Sequence, residues 1–347
     1  MHLVGEVVAL TLMITCPTHP GSPNRSGSIS ITRPWFVYMG SLASRRKIAK
    51  KTLLFMLLAM GASAQSNTKA QPGLNLTFKA DTKLVVLHTT VIDKGHHFVT
   101  ELPGSAFKVY EDNVLQEIKI FQREDVPVSL GILVDNSGSM RDKRQEVNAA
   151  ALNFVKASNP KDEVFIVNFN DEAFLDSDFT GDITRLQDAL QRIDARGGTA
   201  LYDATTMSLD HLRKKAKWDK QVLLIITDGE DNASLIELER LVRRLEATET
   251  VLYAVGLLGE SDRSAAKRAT RAIRHIVRAT GGAAFFPESV GEVNSIVQQI
   301  AQDIRNQYIL AYSPNQSGTR GFRRVKVVLS RKLTKKLTVR HRPGYYF

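Results

Sequence analysis

Three oxygen-bearing side chains alternate at the end of an apolar run of the sequence. Asp135, Ser137 and Ser139 follow residues 130–134, which read Leu-Gly-Ile-Leu-Val. Carboxylate and hydroxyl oxygens are preferred ligands of Mg²⁺, Mn²⁺ and Ca²⁺, whereas zinc and copper favour Cys and His, which the run lacks. The spacing therefore indicates a site for a hard divalent cation.

Two later segments supply further oxygen atoms of the same kind. Thr199 follows two glycines and precedes a helical stretch, and Asp228 ends the apolar residues 222–226. Taken singly, Thr199 is equally well explained as a helix cap and Asp228 as a turn residue. The occurrence of all three segments in this order, at predicted strand ends, favours one shared site.

These segments resemble the von Willebrand factor type A domain with its metal-ion-dependent adhesion site. The family motif is Asp-x-Ser-x-Ser, then a Thr in a Gly-rich loop, then an Asp at a later strand end, and the resemblance covers roughly residues 127–305. It implies a Mg²⁺ or Mn²⁺ ion, with Ca²⁺ as an alternative, whose shell a partner carboxylate completes. The implied ligands, direct or through water, are Asp135, Ser137, Ser139 and Thr199, with Asp228 in the outer shell or bound through water.

A narrower resemblance extends over most of the remaining chain. Residues 109–118 and the Arg-Pro-Gly-Tyr pattern at 342–345 are similar to segments of the secreted VWFA-related proteins of Acidobacteria, over about residues 74–347. This resemblance implies an architecture but no activity.

Composition places the chain among ordinary globular proteins. Its 347 residues are 43% hydrophobic and 24% charged, which suffices for one typical core and a smaller one. The single cysteine, Cys16, precludes an intrachain disulfide. Stability must therefore come from packing and from any bound metal.

Residues 39–64 are predicted to be an export signal. Basic residues 45–51 precede the apolar residues 52–60 and the small-residue site Ala62-Ser-Ala64, which predicts cleavage after Ala64 and a periplasmic or extracellular location. A retained membrane anchor is the alternative. Residues 1–38 are interpreted as a mis-assigned or disordered extension, with Met39 the better start, and residues 65–73 as a linker. The whole chain carries +11, whereas residues 65–347 carry +5, so the total overstates affinity for polyanions.

Residues 127–306 alternate strand with helix, which predicts a doubly wound, mostly parallel α/β sheet with its ligand site at the carboxyl ends of the strands. The predicted strands cover residues 129–135, 164–169, 222–227, 251–255 and 283–286. The predicted helices cover residues 144–158, 183–193, 200–215, 236–247, 263–280 and 293–306.

The flanking segments have the period-two pattern of strands with one buried face. In residues 74–126 the predicted strands cover 84–92, 107–110 and 118–122, and in residues 307–347 they cover 307–312, 322–329 and 336–341. Because neither set is large enough to bury a core alone, we expect them to form one β-sandwich into which the α/β domain is inserted.

Enzyme motifs are missing from the sequence. It has no Gly-x-Ser-x-Gly elbow, His-Glu-x-x-His pair or phosphate loop, and near the metal segments only Asp142 and Asp231 are spare carboxylates, interpreted as a polar rim. We therefore expect a secreted adhesion or scaffold module, not an enzyme, that ligates an Asp or Glu of a protein partner through its ion. A metal-dependent hydrolase and a purely structural envelope component are the alternatives.

Clusters of basic residues leave a second kind of partner open. The Arg and Lys residues within 214–217, 240–244 and 263–278 are interpreted as exposed charge on helices, whereas the cluster within 320–336 is denser. An anionic envelope surface, such as a glycan, the cell wall or lipid, remains an alternative partner. Sequence-specific binding of nucleic acid is not expected, because few aromatic residues are interleaved with these charges, and the oligomeric state is left open.

Overall fold

The structure, a computed structural model, describes residues 84–123, 125–192, 195–259, 263–314, 320–330, 333 and 336–346. All of them belong to one compact unit, Leu76–Phe347. The predicted extension, export signal and linker lie outside the described residues. No helix within the described ranges is both long enough and apolar enough to cross a membrane.

Fourteen strands and six α-helices are assigned within these ranges. The strands are β1 (Val85–Ile92), β2 (Phe107–Glu111), β3 (Val114–Gln116), β4 (Ile118–Gln122), β5 (Ser129–Asp135), β6 (Glu163–Phe169), β7 (Ala173–Thr180), β8 (Gln221–Thr227), β9 (Val251–Gly256), β10 (Ala284–Phe285), β11 (Tyr308–Tyr312), β12 (Phe322–Leu329), β13 (Thr338–Arg340) and β14 (Gly344–Tyr346). The helices are α1 (Arg144–Lys156), α2 (Ile183–Gln191), α3 (Leu201–Lys215), α4 (Leu238–Glu246), α5 (Arg263–Thr280) and α6 (Val293–Arg305).

The central sheet has the strand order β10-β9-β8-β5-β6-β7, and every pairing except that of β7 with β6 is parallel. Helices α1, α2 and α6 cover one face and α3, α4 and α5 cover the other. All seven residues of β5 are buried, which explains its nearly continuous apolar sequence. The predicted doubly wound, mostly parallel fold is confirmed.

Gly131 lets the central strands pack closely on one face of this sheet. It is paired with Phe165 on β6 and with Leu223 on β8. A Cβ atom at this position would lie 2.3 Å from Phe165 Cζ and 2.6 Å from Leu223 Cδ2. The Phe165 ring therefore occupies space that any other residue type at 131 would need.

Two antiparallel sheets flank the α/β layer, and each combines strands from both ends of the described chain. Their orders are β13-β1-β11-β4 and β14-β12-β2-β3. They share one core in which Leu87 and Tyr308 of the first sheet pack with Val109 and Val327 of the second. The expected sandwich of N-terminal and C-terminal strands is therefore present, while the predicted domain boundaries at 74, 126 and 306 remain predictions.

Three strands were not predicted from the sequence. β7 lies at the edge of the central sheet, where Phe174 and Leu175 are exposed, so its sequence lacks a clear buried face. β3 and β14 have three residues each, too few for a period-two pattern to be recognised. Among the helices, α4 begins at Leu238 and not at 236, because the Asp203 carboxylate accepts hydrogen bonds from the backbone of Leu235 and Ile236.

Candidate metal centre

The carboxylate of Asp135 is buried and held from two sides. Its Oδ1 accepts a hydrogen bond from Ser137 N at 2.8 Å, and its Oδ2 accepts one from Thr227 Oγ1 at 2.6 Å. Burial raises the pKa of Asp135 to about 6, although the hydrogen bonds from Thr227 and Ser137 act in the opposite direction. Asp135 therefore carries a charge whose burial a nearby cation would offset.

Ser139 joins the first strand end to the second. Ser137 Oγ lies 3.2 Å from Ser139 Oγ, and Ser139 Oγ donates to Asp228 Oδ1 at 2.7 Å. β5 and β8 are parallel neighbours, so their carboxyl ends bring Asp135 and Asp228 to the same edge of the sheet. Ser137 and Asp228 are buried whereas Ser139 is exposed, so solvent reaches the cluster from the side of Ser139.

Thr199 reaches the cluster on a loop fixed by backbone hydrogen bonds. Gly138 N donates to Gly197 O at 3.1 Å, and Arg196 N donates to Asn136 O at 2.9 Å. A Cβ atom on Gly229 would lie 3.2 Å from Thr199 Oγ1, which places that hydroxyl beside the residue that follows Asp228. The structure thus brings all five predicted residues together, although their binding of a metal remains a prediction.

The donor set fits a hard cation better than a soft one. The site gathers two carboxylates and three hydroxyls, and its loops contribute no thiol or imidazole. The described ranges contain no group of three or more His, Cys, Asp and Glu side chains that could hold a metal ion, and this cluster itself has two such side chains, Asp135 and Asp228. An ion at this edge would be held by Asp135, Ser137, Ser139, Thr199 and Asp228, and would supply an electrophilic centre for an oxygen ligand.

Lys143, which was not identified from the sequence, contacts one of these residues. Its Nζ lies 2.5 Å from Asp228 Oδ2, and the Asp228 side chain is only 1% exposed. Lys143 belongs to the charged run of residues 141–144, which leads into α1 and in which no single residue stands out. The only available signal was its position four residues after Ser139, one helical turn along the chain.

The two spare carboxylates have different environments. Asp231 Oδ2 accepts hydrogen bonds from Tyr202 N at 2.9 Å and from Ser234 Oγ at 2.6 Å, so it holds the first turn of α3. Burial raises its pKa. Asp142 is exposed at the start of the α1 segment. Asp231 is therefore committed to a helix terminus, whereas Asp142 is the acid that faces solvent.

The loop after Asp228 carries an exposed apolar side chain. Asn232 Oδ1 accepts a hydrogen bond from Thr199 N at 2.8 Å, which attaches this loop to the loop that carries Thr199. Three residues later, Leu235 is 96% exposed while its backbone is held by Asp203 at 2.8 Å.

A profile of a known protein family matches the segment that contains this cluster. A profile described as the von Willebrand factor type A domain matches residues 130–230, which contain all five clustered residues. Residues 130–230 belong to the von Willebrand factor type A family. Type A domains often take part in protein interaction or adhesion, and they generally mediate contacts between proteins. No curated protein matches the chain.

Several solved structures are similar to the chain at low sequence identity. An aerotolerance-related membrane protein from Bacteroides fragilis is 18% identical, covers 51% of this chain and 98% of its own, and has a TM-score of 0.42. The type A domain of the type V pili tip protein Mfa5 from Porphyromonas gingivalis is 12% identical, covers 52% and 95%, and has a TM-score of 0.45. A von Willebrand factor type A protein from Catenulispora acidiphila is 12% identical, covers 78% and 75%, and has a TM-score of 0.46.

Proposed function

We propose that the protein is an exported, metal-dependent protein-binding module of the cell envelope. In this proposal a Mg²⁺-type ion is held by the five clustered residues, and an Asp or Glu of a protein partner supplies a further ligand. The observation that carries it is the gathering of two carboxylates and three hydroxyls at the carboxyl edge of the type A sheet, accessible beside Ser139.

Three further features support this function. The loop that follows Asp228 is attached to Thr199 through Asn232 and carries the exposed Leu235, which offers an apolar contact on the same loop, as in protein interfaces where a few anchors dominate the binding energy. Residues 45–64 have the basic, apolar and small-residue order of an export signal. Within the described ranges the cluster contains no histidine that could act as a general base, which favours binding over turnover.

The first test measures Mg²⁺ binding by calorimetry on the full chain and on two matched variants. Asp135→Ala removes the buried carboxylate of the cluster. Asp142→Ala, the control, removes an exposed carboxylate three residues after Ser139. We expect binding in the wild type and in Asp142→Ala and its loss in Asp135→Ala. Equal affinity in all three proteins would refute the assigned ligand set.

The second test measures partner binding and turnover. The immobilised protein is incubated with envelope extract in Mg²⁺ and in EDTA, and the captured proteins are assayed one by one for binding to wild type and to Leu235→Ser. We expect EDTA-sensitive binding that is weakened by Leu235→Ser and by mutation of one acidic residue in the partner. Mg²⁺-dependent hydrolysis of phosphoester or peptide substrates, lost in Asp135→Ala, would instead establish a hydrolase.

A further inference from the structure

A second site lies away from the candidate metal centre, between α5 and the outer face of the β14-β12-β2-β3 sheet. It is an open groove of about 1010 Å³. Its helix side carries Arg271, Arg274 and Arg278, and its sheet side carries Arg324 and Lys326. We call this site the basic groove.

Secondary structure arranges the five cations in two rows. Arg271, Arg274 and Arg278 occupy positions i, i+3 and i+7 of α5, which places them on one stripe roughly 10 Å long. Arg324 and Lys326 alternate with buried residues on β12 and so share its outer face. All five side chains belong to exposed residues. The groove therefore presents a line of positive charge on each wall.

The carboxylates that line the groove do not neutralise its five positive charges. Glu246 and Asp112 are the carboxylates of the lining, and Asp112 Oδ1 accepts a hydrogen bond from the backbone N of Arg324 at 3.0 Å. Within the described part of the chain, Arg271, Arg278, Arg324 and Lys326 have no ion-pair partner. By contrast, Arg268 of the same helix pairs with Glu230 at 2.8 Å. A cleft lined by one sign of charge concentrates ligands of the opposite sign.

Aromatic rings lie beside the cations on the sheet wall. Tyr110 is directly opposite Lys326 in the register of β2 and β12, so both side chains project from the same face. Phe322 is on that face too, with its ring centroid 5.4 Å from that of Tyr346. Flat apolar surfaces next to guanidinium groups suit a ligand that has both apolar ring faces and acidic substituents.

The position of the groove argues against recognition of an extended peptide. It lies over the face of the sheet, and peptide strands are usually bound by adding to a sheet edge, where unpaired backbone groups are available. An acidic sugar chain needs no backbone pairing, since its carboxylate or sulfate groups can bind the two rows of cations while its rings stack on Tyr110 and Phe322.

We propose that the basic groove binds a linear acidic glycan, a chain of sugars that carry carboxylate or sulfate groups. Arg271, Arg274 and Arg278 hold the acidic groups from one side, Arg324 and Lys326 hold them from the other, and Phe322 supports a sugar ring. This site needs no divalent ion and operates independently of the five clustered residues of the type A domain.

The test is direct binding of defined polyanions to the full chain in EDTA. The probes are oligogalacturonate, which bears carboxylates, and a heparin oligosaccharide, which bears sulfates, so that the two kinds of acidic group are distinguished. The groove variant is Arg271→Glu/Arg278→Glu. The matched control is Lys156→Glu/Arg185→Glu, which makes the same change in net charge at exposed positions on α1 and α2. Thermal unfolding verifies that both variants are folded.

We expect the groove variant to bind at least one of the two glycans more weakly by on the order of tenfold, and the control to remain within about twofold of wild type. Phe322→Ala, which keeps every charge, is expected to weaken the same glycan severalfold. Asp135→Ala is expected to bind it normally, so this proposal and the proposed metal-dependent function can fail separately.

Four results would overturn the assignment. Absence of binding to both glycans, or an equal loss in the control variant, would remove the groove as a specific site. Normal binding by Phe322→Ala would show that charge alone accounts for the interaction and that no sugar ring is recognised at Phe322. Tighter binding of polyglutamate or single-stranded DNA of matched charge would assign the groove to a different class of macromolecule.

Discussion

Lys143 Nζ lies 2.5 Å from Asp228 Oδ2, while Ser139 Oγ donates to the other oxygen of the same carboxylate at 2.7 Å. The ammonium group is thus the positive charge next to a carboxylate whose side chain is almost completely buried. A divalent ion bound to Ser139 and Asp228 would have to share this carboxylate with Lys143. We therefore expect the lysine to stabilise the ion-free domain and to oppose the binding of the proposed ion.

The first prediction concerns Lys143→Met. Unit charges about 4 Å apart near a protein surface interact by about 4 kcal/mol, and a change of about 1.4 kcal/mol is tenfold in affinity. Even about a third of this interaction, removed with the ammonium group, should raise Mg²⁺ affinity on the order of tenfold. The ion-free variant should lose about 1–3 kcal/mol of stability, because Asp228 stays buried without its charged partner. Calorimetry and urea unfolding measure the two effects, with the exposed Lys156→Met as control. Weaker Mg²⁺ binding in Lys143→Met would show that the lysine assists the ion.

The second prediction concerns Gly131. In Gly131→Ala the new Cβ atom would lie 2.3 Å from Phe165 Cζ, inside a strand whose neighbours on both sides are fixed. Overpacking of this kind costs about 1–3 kcal/mol, measurable by urea unfolding. Gly291→Ala is the control, because a Cβ atom there has only Ser289 Oγ nearby, at 3.8 Å. Similar losses in both variants would contradict the packing argument.

The third prediction concerns Glu111, which links an N-terminal strand of the sandwich to its C-terminal strands. Its carboxylate accepts hydrogen bonds from Tyr312 and Arg323 at 2.7 Å each and from Tyr345 at 2.8 Å. Glu111→Ala leaves the buried guanidinium of Arg323 without this carboxylate, for which we expect a loss of about 3–5 kcal/mol.

Glu117→Ala provides the comparison for Glu111→Ala, because Glu117 forms an exposed ion pair with Lys119. Removal of an exposed pair of this kind should cost less than about 1 kcal/mol. The free energy of unfolding of both variants is measured by urea denaturation. A loss in Glu111→Ala no greater than that in Glu117→Ala would show that the buried network contributes little.

The fourth prediction is a pH dependence caused by His88. Burial, assisted by the charges of Lys220 and Arg342, lowers the pKa of His88 from 6.5 to about 3. Below about pH 6.5 the unfolded chain therefore takes up a proton on His88 while the folded chain does not. The free energy of unfolding should decrease as the pH is lowered from about 6.5 to about 3. From about pH 6.5 to 4 the contribution of His88 is a loss on the order of 3 kcal/mol.

His88→Gln should remove this part of the acid sensitivity. The measurement is the free energy of unfolding at about pH 7 and about pH 4, compared between wild type and variant. His97→Gln serves as the control, because the His97 side chain is 82% exposed. A wild-type loss between the two pH values that His88→Gln leaves unchanged would place the acid sensitivity elsewhere.

The parts of the fold that were predicted correctly are those whose burial pattern is local. β5 and β8 are apolar throughout because both of their faces are covered, and α5 begins and ends at the predicted residues. The N-terminus of α4 was predicted two residues early, because its position depends on Asp203, a residue distant in sequence. A strand such as β14 depends on its partner β12 and has no pattern of its own.

The candidate site shows the same division between local and long-range information. Asp135, Ser137 and Ser139 could be grouped from their spacing, and Asp228 from its position at a strand end. Lys143 could not, since its role depends on contact with a carboxylate 85 residues away. The basic groove is likewise formed by two distant segments, α5 and β12, each of which looks like ordinary exposed charge when considered alone.

The insertion of the α/β domain between β4 and β11 has a mechanical consequence. These two strands are antiparallel neighbours, with Gln122 opposite Ile309, so the domain is attached through two adjacent strands at the same end of the sheet. Arg305 links this attachment by contacting Asp125 at 2.7 Å and also Asp162. A tensile load applied at the Ser139 edge would therefore reach the sandwich through two adjacent strands and not through one, and β11, the inner of the two, is also hydrogen-bonded to β1.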